Sequence, residues 1–364
     1  MNPSPYSPMK VYWHRDRLDA LARGEVPSPT QVQLIISDLC NQDCSFCAYR
    51  MSGNLSNELF GEAREDGSVN NNPNRMISYE KIIEILEDSA AMGVKAIQLT
   101  GGGEPTVHPK FEQVVEKCYE LGLEVGVVTN GVKLTPKLID LLTKAMWVRV
   151  SVDASTVDSY VSIRNVPIAH YTRVWNNIKA LAERKKATGS NVTIGVGFVV
   201  TKENYKEVVD ATAQARAAGV DNFRISAVFQ PEDEKYFETF HAEAVKLCSD
   251  AEVLGSDTYQ VVNMFGDRVS DLVLKYPDYE FCGYQHFNTY IGADLNVYRC
   301  CVLAYNTRGV VGSLKEQTFA HLWANDAPGA FKGFDAGGCP RCQFNNKNRE
   351  IIRALVTPPH VNFV

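Results

Sequence analysis

The sequence predicts an α/β fold, a partial parallel (β/α)6 TIM-like barrel followed by a small irregular C-terminal domain. Three observations predict it. Apolar β-branched runs alternate with amphipathic helical stretches, the clearest helices stop at a glycine, and the alternation ends near residue 255. We therefore expect an N-terminal extension over residues 1–30, the barrel over residues 31–255 and the second domain over residues 256–364.

The predicted strands are six short runs rich in valine and isoleucine. They begin at Gln31, Ala96, Leu123, Trp147, Val192 and Asn222. Two helices between them are equally clear, one from the N-cap candidate Ser78 to Gly93 and the other from Pro109 to Gly122. Ligands of parallel α/β folds bind at the C-terminal ends of the strands, so the residues that follow each strand are candidate site residues.

Composition and charge narrow the function classes. The 37 basic and 43 acidic residues give a formal net charge of -6, which argues against a nucleic-acid partner. No window reaches the roughly 18 apolar residues of a membrane span, and the N-terminus has no apolar signal region. We expect a cytoplasmic protein with no membrane partner, in which the ten cysteines serve metal or redox chemistry rather than disulfides.

Three cysteines follow the first predicted strand in the stretch SDLCNQDCSFCAYR. Cys40, Cys44 and Cys47 have the spacing C-x3-C-x2-C, with no histidine or fourth cysteine nearby. A closed structural zinc site needs four ligands, and a disulfide framework needs an even number of cysteines. The triad therefore predicts a metal centre with one open coordination position.

The motif, followed by successive βα units, resembles that of the radical S-adenosylmethionine (radical SAM) superfamily. The resemblance implies a [4Fe-4S] cluster on the three thiolates, with SAM bound at the open iron. In that family an electron from a low-potential donor such as flavodoxin or ferredoxin splits SAM, and the resulting 5'-deoxyadenosyl radical abstracts hydrogen from the substrate. We expect the same cofactors and the same type of electron donor for this chain.

Further positions match the family's SAM-binding pattern in their order along the chain. The resemblance assigns Gly102, Gly103 and Glu104, in LTGGGEP, to the SAM amino group, because glycine lets main chain approach a ligand and a carboxylate suits an ammonium. It assigns Arg164 to the SAM carboxylate. The adenine and ribose contacts it implies are Phe46, Asn130, Ser151 and Asp153. Taken singly, each of these residues is as readily a turn, cap or surface position.

The C-terminal part carries a second resemblance. The segment from Cys282 to Asn348 is similar to the auxiliary-cluster domains called SPASM, or in a shorter form twitch, that follow many radical SAM barrels. This implies a second, auxiliary [4Fe-4S] cluster. Its candidate ligands are Cys282, Cys300, Cys339 and Cys342. A zinc knuckle is the alternative for these cysteines, and the choice between Cys300 and Cys301 stays open because the glycine typical of this turn is missing.

The remaining thiols divide into one candidate catalytic residue and two core positions. Cys301 is an inert core residue, a substitute ligand, or a hydrogen donor that quenches a substrate radical. Cys118 and Cys248 each share a helical stripe with apolar residues, which predicts burial in the core. His108, just before a helix-starting proline, is predicted to be structural rather than catalytic.

One βα unit contains a long insertion, Ser52 to Arg75, rich in asparagine, glycine and acidic residues. It separates the cysteine triad from the helix that follows. Long loops in compact domains are often functional, but surface insertions are also well tolerated. The segment is therefore either a surface insertion or a lid over the site.

The resemblance implies a radical SAM enzyme of oxidoreductase or epimerase type, acting on a ribosomal peptide or other natural product by oxidation, crosslinking or epimerisation. Only 39 residues precede Cys40, too few for a separate peptide-recognition domain. The alternative is therefore an epimerase or dehydrogenase of the same superfamily acting on a sugar or aminoglycoside-type small molecule. A non-catalytic protein stapled by its metal sites is the alternative from another class, but it would not need the SAM-binding set.

Overall fold

The computed structural model describes residues 5–229, 233–357 and 359. Its strands are β1 (Gln31–Ile35), β2 (Glu62–Ala63), β3 (Val69–Asn70), β4 (Ala96–Thr100), β5 (Glu124–Thr129), β6 (Trp147–Ser151), β7 (Thr193–Val200), β8 (Asn222–Ala227), β9 (Gln260–Asn263), β10 (Asn288–Ile291), β11 (Asn296–Tyr298) and β12 (Val310–Ser313). Its α-helices are α1 (Arg15–Ala22), α2 (Tyr79–Ala91), α3 (Phe111–Glu120), α4 (Pro136–Leu142), α5 (Val157–Arg164), α6 (Ala169–Thr188), α7 (Val208–Ala217), α8 (His241–Glu252), α9 (Phe265–Leu274), α10 (Phe319–Asn325), α11 (Ala327–Lys332) and α12 (Asn345–Leu355).

One ten-stranded sheet organises the molecule, in the order β12-β11-β10-β1-β4-β5-β6-β7-β8-β9. Every neighbouring pair from β10 to β9 is parallel, whereas β11 pairs antiparallel with both β10 and β12. Within the described ranges no pairing joins β9 to β12, so the barrel is open. The predicted fold class, a partial parallel α/β barrel with a small C-terminal domain, is confirmed.

The parallel sheet extends beyond the six predicted strands, all of which are present as β1, β4, β5, β6, β7 and β8. On one side β9 pairs with β8, and on the other β10 pairs with β1. Both added strands lie after residue 255, where the sequence predicts only irregular structure. They escape prediction because each has four residues and lacks the alternation of a half-buried strand: β9 is partly exposed throughout and β10 buried throughout.

The predicted helix signals are met in α2 and α3. The Ser78 hydroxyl accepts a hydrogen bond from the amide of Lys81 at 3.3 Å, and Gly93 follows α2 with a φ of 82°. α3 begins at Phe111, two residues after the predicted start at Pro109, because Lys110 occupies the N-cap position. The apolar face of α3 contains Cys118, which is fully buried as predicted.

The two faces of the barrel strands differ in exposure. In β6, Val148 and Val150 are fully buried between the sheet and the outer helices, whereas Arg149 and Ser151 on the opposite face are partly exposed. Alternate residues of a strand point to opposite faces, so Arg149 and Ser151 line the inside of the barrel. The inner face is therefore accessible.

Segments from the two ends of the chain pack together beside the barrel. A second small core contains Val11, Leu18, Phe287 and Ile351. The Tyr12 hydroxyl donates to a Glu350 carboxylate oxygen at 3.0 Å, which ties the N-terminal extension to α12. No helix in the described residues has the length and apolar character needed to cross a bilayer.

Candidate functional site

The cysteine triad lies in the loop that leaves the C-terminal end of β1. The loop is tightly wound, since the Cys47 amide donates to the Cys44 carbonyl at 3.1 Å and the Met51 amide donates to the Cys47 carbonyl at 2.9 Å. Asn72 holds its first cysteine from both sides. Its side-chain oxygen accepts from the Cys40 amide at 3.0 Å, and its amide group donates to the Cys40 carbonyl at 3.1 Å.

The three cysteines are partly buried and lie together among basic side chains. Burial raises the pKa of Cys40 to about 12 and that of Cys44 to about 11, while the positive charges of Arg50 and Arg164 act in the opposite direction. Both arginines have a buried Nε without a hydrogen-bond partner. Buried cations with spare donors stabilise negatively charged thiolates and sulfides, so the surroundings fit an iron-sulfur cluster.

The glycine-rich turn after β4 packs directly against the base of the cysteine loop. The Gly103 amide donates to the Ser37 carbonyl at 3.1 Å. A Cβ at Gly103 would stand 2.2 Å from the Leu39 carbonyl oxygen, and one at Gly102 would stand 2.6 Å from the Asp38 carboxylate. Glycine is required here because the two main chains touch.

Glu104, predicted to receive the SAM amino group, is occupied within its own turn. Its carboxylate accepts hydrogen bonds from the Thr106 hydroxyl at 2.6 Å, the Thr129 hydroxyl at 2.6 Å and the Asn130 amide at 2.7 Å. Burial raises its pKa, and these donors lower it. In this structure Glu104 joins the turns after β4 and β5, so its predicted contact with SAM stays a prediction.

Arg164 and Asp153, assigned separately to the two ends of SAM, form a buried ion pair with each other. Arg164 Nη1 also donates to Gln42 Oε1 at 2.7 Å, and the other Asp153 carboxylate oxygen accepts from the Val199 amide at 2.6 Å. The negative charges of Cys44 and Asp153 both favour protonated Arg164, whose pKa is raised despite burial. Arg164 thus lies between the cysteine loop and the end of β6.

The other predicted SAM contacts lie along the same edge of the sheet. The Asn130 side chain donates to Asn41 Oδ1 at 2.7 Å, within the cysteine loop. Phe46 packs partly buried against the main core, and Ser151 ends β6 on the inner face. All three positions follow or end a parallel strand, or lie in the cysteine loop, where the fold predicts them.

The four predicted auxiliary ligands are close enough for their charges to interact. Burial, followed by the charge of Cys342, raises the pKa of Cys282 and that of Cys339 to about 12. The pKa of Cys300 is raised well above its ordinary value, first by burial and then by charges that include those of the other three ligands. Arg299 compensates them, because its charge interacts with Cys282, Cys300 and Cys339.

Cys301 faces different neighbours from Cys300. Burial raises its pKa, whereas the positive charges of Arg268 and Lys347 lower it. Its charge also acts on Tyr49, two residues after the triad, and on Tyr290 in β10. Cys300 is thus surrounded by the auxiliary cysteines, and Cys301 lies between that group and the cysteine loop.

The insertion of residues 52–75, here called the strap, packs against the site through its first part, whereas residues 63–69 of its β2–β3 hairpin are exposed. Phe60 is fully buried against Tyr49 and Tyr305, and the Ser56 hydroxyl donates to the Val302 carbonyl at 3.3 Å. The Leu59 amide donates to the Tyr305 carbonyl at 2.8 Å. The strap therefore connects the cysteine loop to the C-terminal domain.

Sequence reasoning misses a buried polar network behind the triad. Asp38 is fully buried, pairs with Arg75 at 2.8 Å, and accepts a hydrogen bond from the Tyr305 hydroxyl. Burial raises the pKa of Asp38 to about 7, and Arg75 opposes that shift. The Tyr49 and Tyr290 hydroxyls lie 2.6 Å apart beside it. The sequence signal for this network is Asp38 itself, a charged residue that directly follows an apolar strand.

Among the described residues, no three His, Cys, Asp or Glu side chains converge closely enough to share one metal ion. In an iron-sulfur cluster each thiolate instead bonds a different iron. The fit of the two cysteine groups to such clusters rests on their shared burial, their mutual electrostatic interactions and the arginines beside them.

Comparison with known proteins identifies both halves of the site. Residues 34–211 match the radical SAM superfamily, and residues 282–343 match the SPASM family, described as an iron-sulfur cluster-binding domain. The chain is 30% identical over 198 residues to a tungsten-containing aldehyde ferredoxin oxidoreductase cofactor-modifying protein of Pyrococcus furiosus, covering 53% of this chain and 50% of that one.

Two further similarities extend this result. The sporulation killing factor maturation protein SkfB of Bacillus subtilis is 27% identical over 196 residues, 54% of this chain and 42% of its own. The chain therefore spans about half the length of these two curated relatives. The fold of Streptococcus suis SuiB bound to precursor peptide SuiA superposes with a TM-score of 0.63 at 15% identity, covering 92% of this chain and 74% of that one. The chain belongs to the radical SAM superfamily and carries a C-terminal SPASM domain.

Proposed function

We propose that this chain is a radical SAM enzyme that modifies a peptide held inside the barrel, with Cys40, Cys44 and Cys47 as ligands of the catalytic cluster. The observation that carries the proposal is the grouping of three partly buried thiols beside Arg50 and Arg164 at the C-terminal end of β1. The cofactors of this family are SAM and [4Fe-4S] clusters. When bound, they supply a 5'-deoxyadenosyl radical that removes a hydrogen atom from an unactivated carbon.

The residues around the triad position the cysteine loop and shield the site from water. Asn72 forms hydrogen bonds with the main chain of Cys40, and the turn of Gly102 and Gly103 packs against the base of the cysteine loop. The buried Arg164 provides positive charge beside the thiolates. The strap closes one side of the loop, which supports exclusion of water from a reactive radical.

The auxiliary cluster is assigned to Cys282, Cys300, Cys339 and Cys342. Their mutual interactions favour Cys300 over Cys301 as the fourth ligand, and the match to an iron-sulfur domain argues against the zinc alternative. A cluster at this position is suited to accept an electron from a substrate radical, which would give oxidation or a crosslink. An external low-potential donor, such as flavodoxin or ferredoxin, would provide the first electron.

Cys301 supports a second outcome, epimerisation. A hydrogen-atom donor must be present as a thiol, and burial disfavours the thiolate of Cys301. In such a reaction its S–H bond breaks, the substrate C–H bond forms, and a thiyl radical remains to be reduced. Its location between the cysteine loop and the auxiliary group is compatible with contact to substrate.

A peptide substrate is supported by two of the similar proteins, one named as a maturation protein for sporulation killing factor and one solved with a precursor peptide. Both likenesses are distant, and the first covers about half of this chain. A sugar or aminoglycoside-type small molecule is the alternative within the same superfamily.

Iron content and reductive SAM cleavage of the anaerobically reconstituted protein test the cluster assignments. Wild type should hold roughly eight irons and form 5'-deoxyadenosine, and the Cys40/Cys44/Cys47 to Ala variant should hold about four and form none. Four irons in wild type and none in the variant would contradict the assignment of an auxiliary cluster. Retention of SAM cleavage by the variant would contradict the assignment of the triad as ligands of the catalytic cluster.

Cys301→Ala separates the two reaction types. For an epimerase, this variant should still cleave SAM but lose product, and wild type in deuterated water should place deuterium at the changed carbon. Cys118→Ala, which removes a buried thiol on α3, is the matched control. Normal product formation by Cys301→Ala would exclude the donor role and leave the oxidative one.

A further inference from the structure

Basic side chains gather inside the barrel around Cys301. Arg149 on β6 and Arg224 on β8 belong to the inner faces of their strands, and Arg268 and Lys347 belong to α9 and α12. The charge of Arg224 interacts with those of Arg149 and Arg268, the charge of Lys347 interacts with those of Lys10, Arg268 and Arg224, and both Arg224 and Lys347 are near the Cys301 thiol. These four basic residues are called the cationic cluster below.

The two strand residues of the cluster have aromatic rings and a sulfur atom as neighbours. Arg224 Nε approaches the Met264 sulfur at 3.4 Å, and its guanidinium lies 5.3 Å from the Tyr6 ring centre. Arg149 lies 5.9 Å from the Trp147 ring centre. In the part of the chain that the structure describes, no carboxylate forms an ion pair with Arg149 or Arg224.

The two helix residues are only slightly better compensated. Arg268 pairs with Asp271 at 3.0 Å and is 8% exposed, yet its Nε has no hydrogen-bond partner. Lys347 lies over the rings of Tyr284 and Phe344, at 5.3 Å and 5.7 Å, and has no carboxylate partner among the described residues. The cluster thus holds four positive charges and one paired negative charge.

Such an arrangement is unfavourable without a ligand. Burial, together with the like charges around them, lowers the pKa of Arg224 to about 9 and that of Lys347 to about 8. A buried charge without a counter-ion costs free energy, and an anion bound among these groups would offset that cost. Uncompensated cations inside an accessible barrel are typical of a binding site for a negatively charged group.

The register of the sheet places the cluster at the depth of the predicted SAM contacts. Ser151 pairs with Gly197, and Gly197 pairs with Arg224. Gly197 has no side chain, and the Arg149 side chain lies over it, with its Cδ 3.5 Å from the position of an added Cβ, so Arg149 and Arg224 are neighbours on the inner face beside the predicted ribose contact. A substrate group bound by Arg224 would therefore lie beside the region where hydrogen abstraction is proposed.

We propose that the cationic cluster of Arg149, Arg224, Arg268 and Lys347 binds a substrate group carrying at least two negative charges, either a phosphate or a pair of carboxylates. This inference rests on the proposed function, because it takes the inside of the barrel as the substrate site. It adds the chemical class of the substrate. A phosphorylated small molecule and a peptide with two adjacent acidic side chains both have this chemistry.

Binding of simple anions to the reconstituted full chain tests the proposal. Isothermal titration would use inorganic pyrophosphate as the phosphate probe and N-acetyl-Glu-Glu-amide as the carboxylate probe. Loss of one charge-assisted contact should weaken the preferred probe at least about tenfold in Arg224→Gln and in Lys347→Gln. Lys144→Gln, which removes an exposed lysine just before β6, is the matched control and should bind like wild type.

Each outcome decides a separate point. Stronger binding of pyrophosphate points to a phosphorylated substrate, and stronger binding of the dipeptide points to an acidic peptide.

Arg224→Lys keeps the charge and should retain most of the affinity, which distinguishes charge recognition from misfolding of Arg224→Gln. Saturable binding of neither probe, or equal affinity in all variants, would overturn the inference. If wild type cleaves SAM but binds neither anion, the inference fails alone; if it binds an anion but cleaves no SAM, the proposed function fails.

Discussion

At the residue scale, the cysteine loop depends on main-chain contacts that only glycine permits. Gly103 touches the carbonyl groups of Asp38 and Leu39, so the turn after β4 supports the residues that lead into Cys40. The three cysteines carry the chemistry, but their spacing in space is set by this neighbouring turn and by Asn72. Ligand geometry thus rests on residues that are not ligands.

Gly103→Ala should damage both stability and the catalytic cluster. The new Cβ would stand 2.2 Å from the Leu39 carbonyl oxygen and 2.5 Å from that of Asp38, so backbone has to move. We expect a loss of about 1–3 kcal/mol in unfolding free energy, measured by urea denaturation, together with lower iron retention. Gly329→Ala is the control, since no atom lies within 4 Å of a Cβ there. Equal behaviour of the two variants would contradict the close-contact explanation.

His108 provides a pH-dependent contribution to stability. Its Nε2 bonds the Ile77 carbonyl at 3.0 Å and its Nδ1 accepts from the Lys110 amide at 3.2 Å, which requires the neutral ring, and burial lowers its pKa. Because the pKa of His108 is lower in the folded state, its contribution to the free energy of unfolding is fully present at a pH above the unfolded-state pKa of about 6.5. The contribution declines as the pH falls below that value.

The stability of His108→Gln should therefore depend less on pH than that of wild type between pH 7.5 and pH 5.5. Glutamine is polar and of comparable length but does not titrate in this range. Chemical denaturation of both proteins at the two pH values measures the difference. The same loss of stability in both proteins would show that His108 does not contribute to the pH dependence.

At the element scale, the strap connects the cysteine loop to the C-terminal domain. Its end is fixed by the ion pair of Arg75 with the buried Asp38, and its middle by Phe60 in the aromatic cluster. The sequence presents this segment as polar and loop-like because its anchors are few and widely spaced.

Arg75→Gln should destabilise the protein by about 3 kcal/mol, because it leaves the Asp38 carboxylate buried without its cation. Thermal or urea unfolding measures the change. Arg23→Gln, which removes an exposed arginine paired with Glu25, should leave the unfolding free energy unchanged within error. A neutral effect of Arg75→Gln would mean that Tyr305 and protonation of Asp38 suffice to satisfy the carboxyl group.

At the scale of the whole molecule, the barrel and the C-terminal part share one sheet. β10 pairs with β1 along four residues, from Gln31 with Asn288 to Leu34 with Ile291, so the central strand of the site is completed by sequence from the other end of the chain. β9, also after residue 255, completes the opposite edge. Strands from both sides of the predicted boundary at residue 255 therefore belong to one continuous sheet.

A chain shortened to residues 1–255 should aggregate or fail to fold, because it loses β9 and exposes β1 as a long apolar edge. Solubility and circular dichroism measure this. The full chain with Cys282, Cys300, Cys339 and Cys342 changed to Ala keeps the β10 pairing and should remain folded. A stable, soluble 1–255 chain would show that the added strands are dispensable.

The sequence by itself determined the six strands, the α/β class and the two groups of cysteines, because these features are local. β-Branched runs form strands, and the C-x3-C-x2-C spacing brings three thiols into one loop whatever surrounds them. Glycines in LTGGGEP signal a close approach, although not the partner that approaches.

Only the tertiary structure decided what depends on distant parts of the chain. Examples are the pairing of β10 with β1 and the packing of the strap on the C-terminal domain, which join distant segments of the sequence. The different surroundings of Cys300 and Cys301 also depend on residues far away in the chain. The cationic cluster is the clearest case, since Arg149, Arg224, Arg268 and Lys347 share no motif. Isolated basic residues look like surface charges in a sequence, and their proposal as a binding site depends on the fold that brings them together.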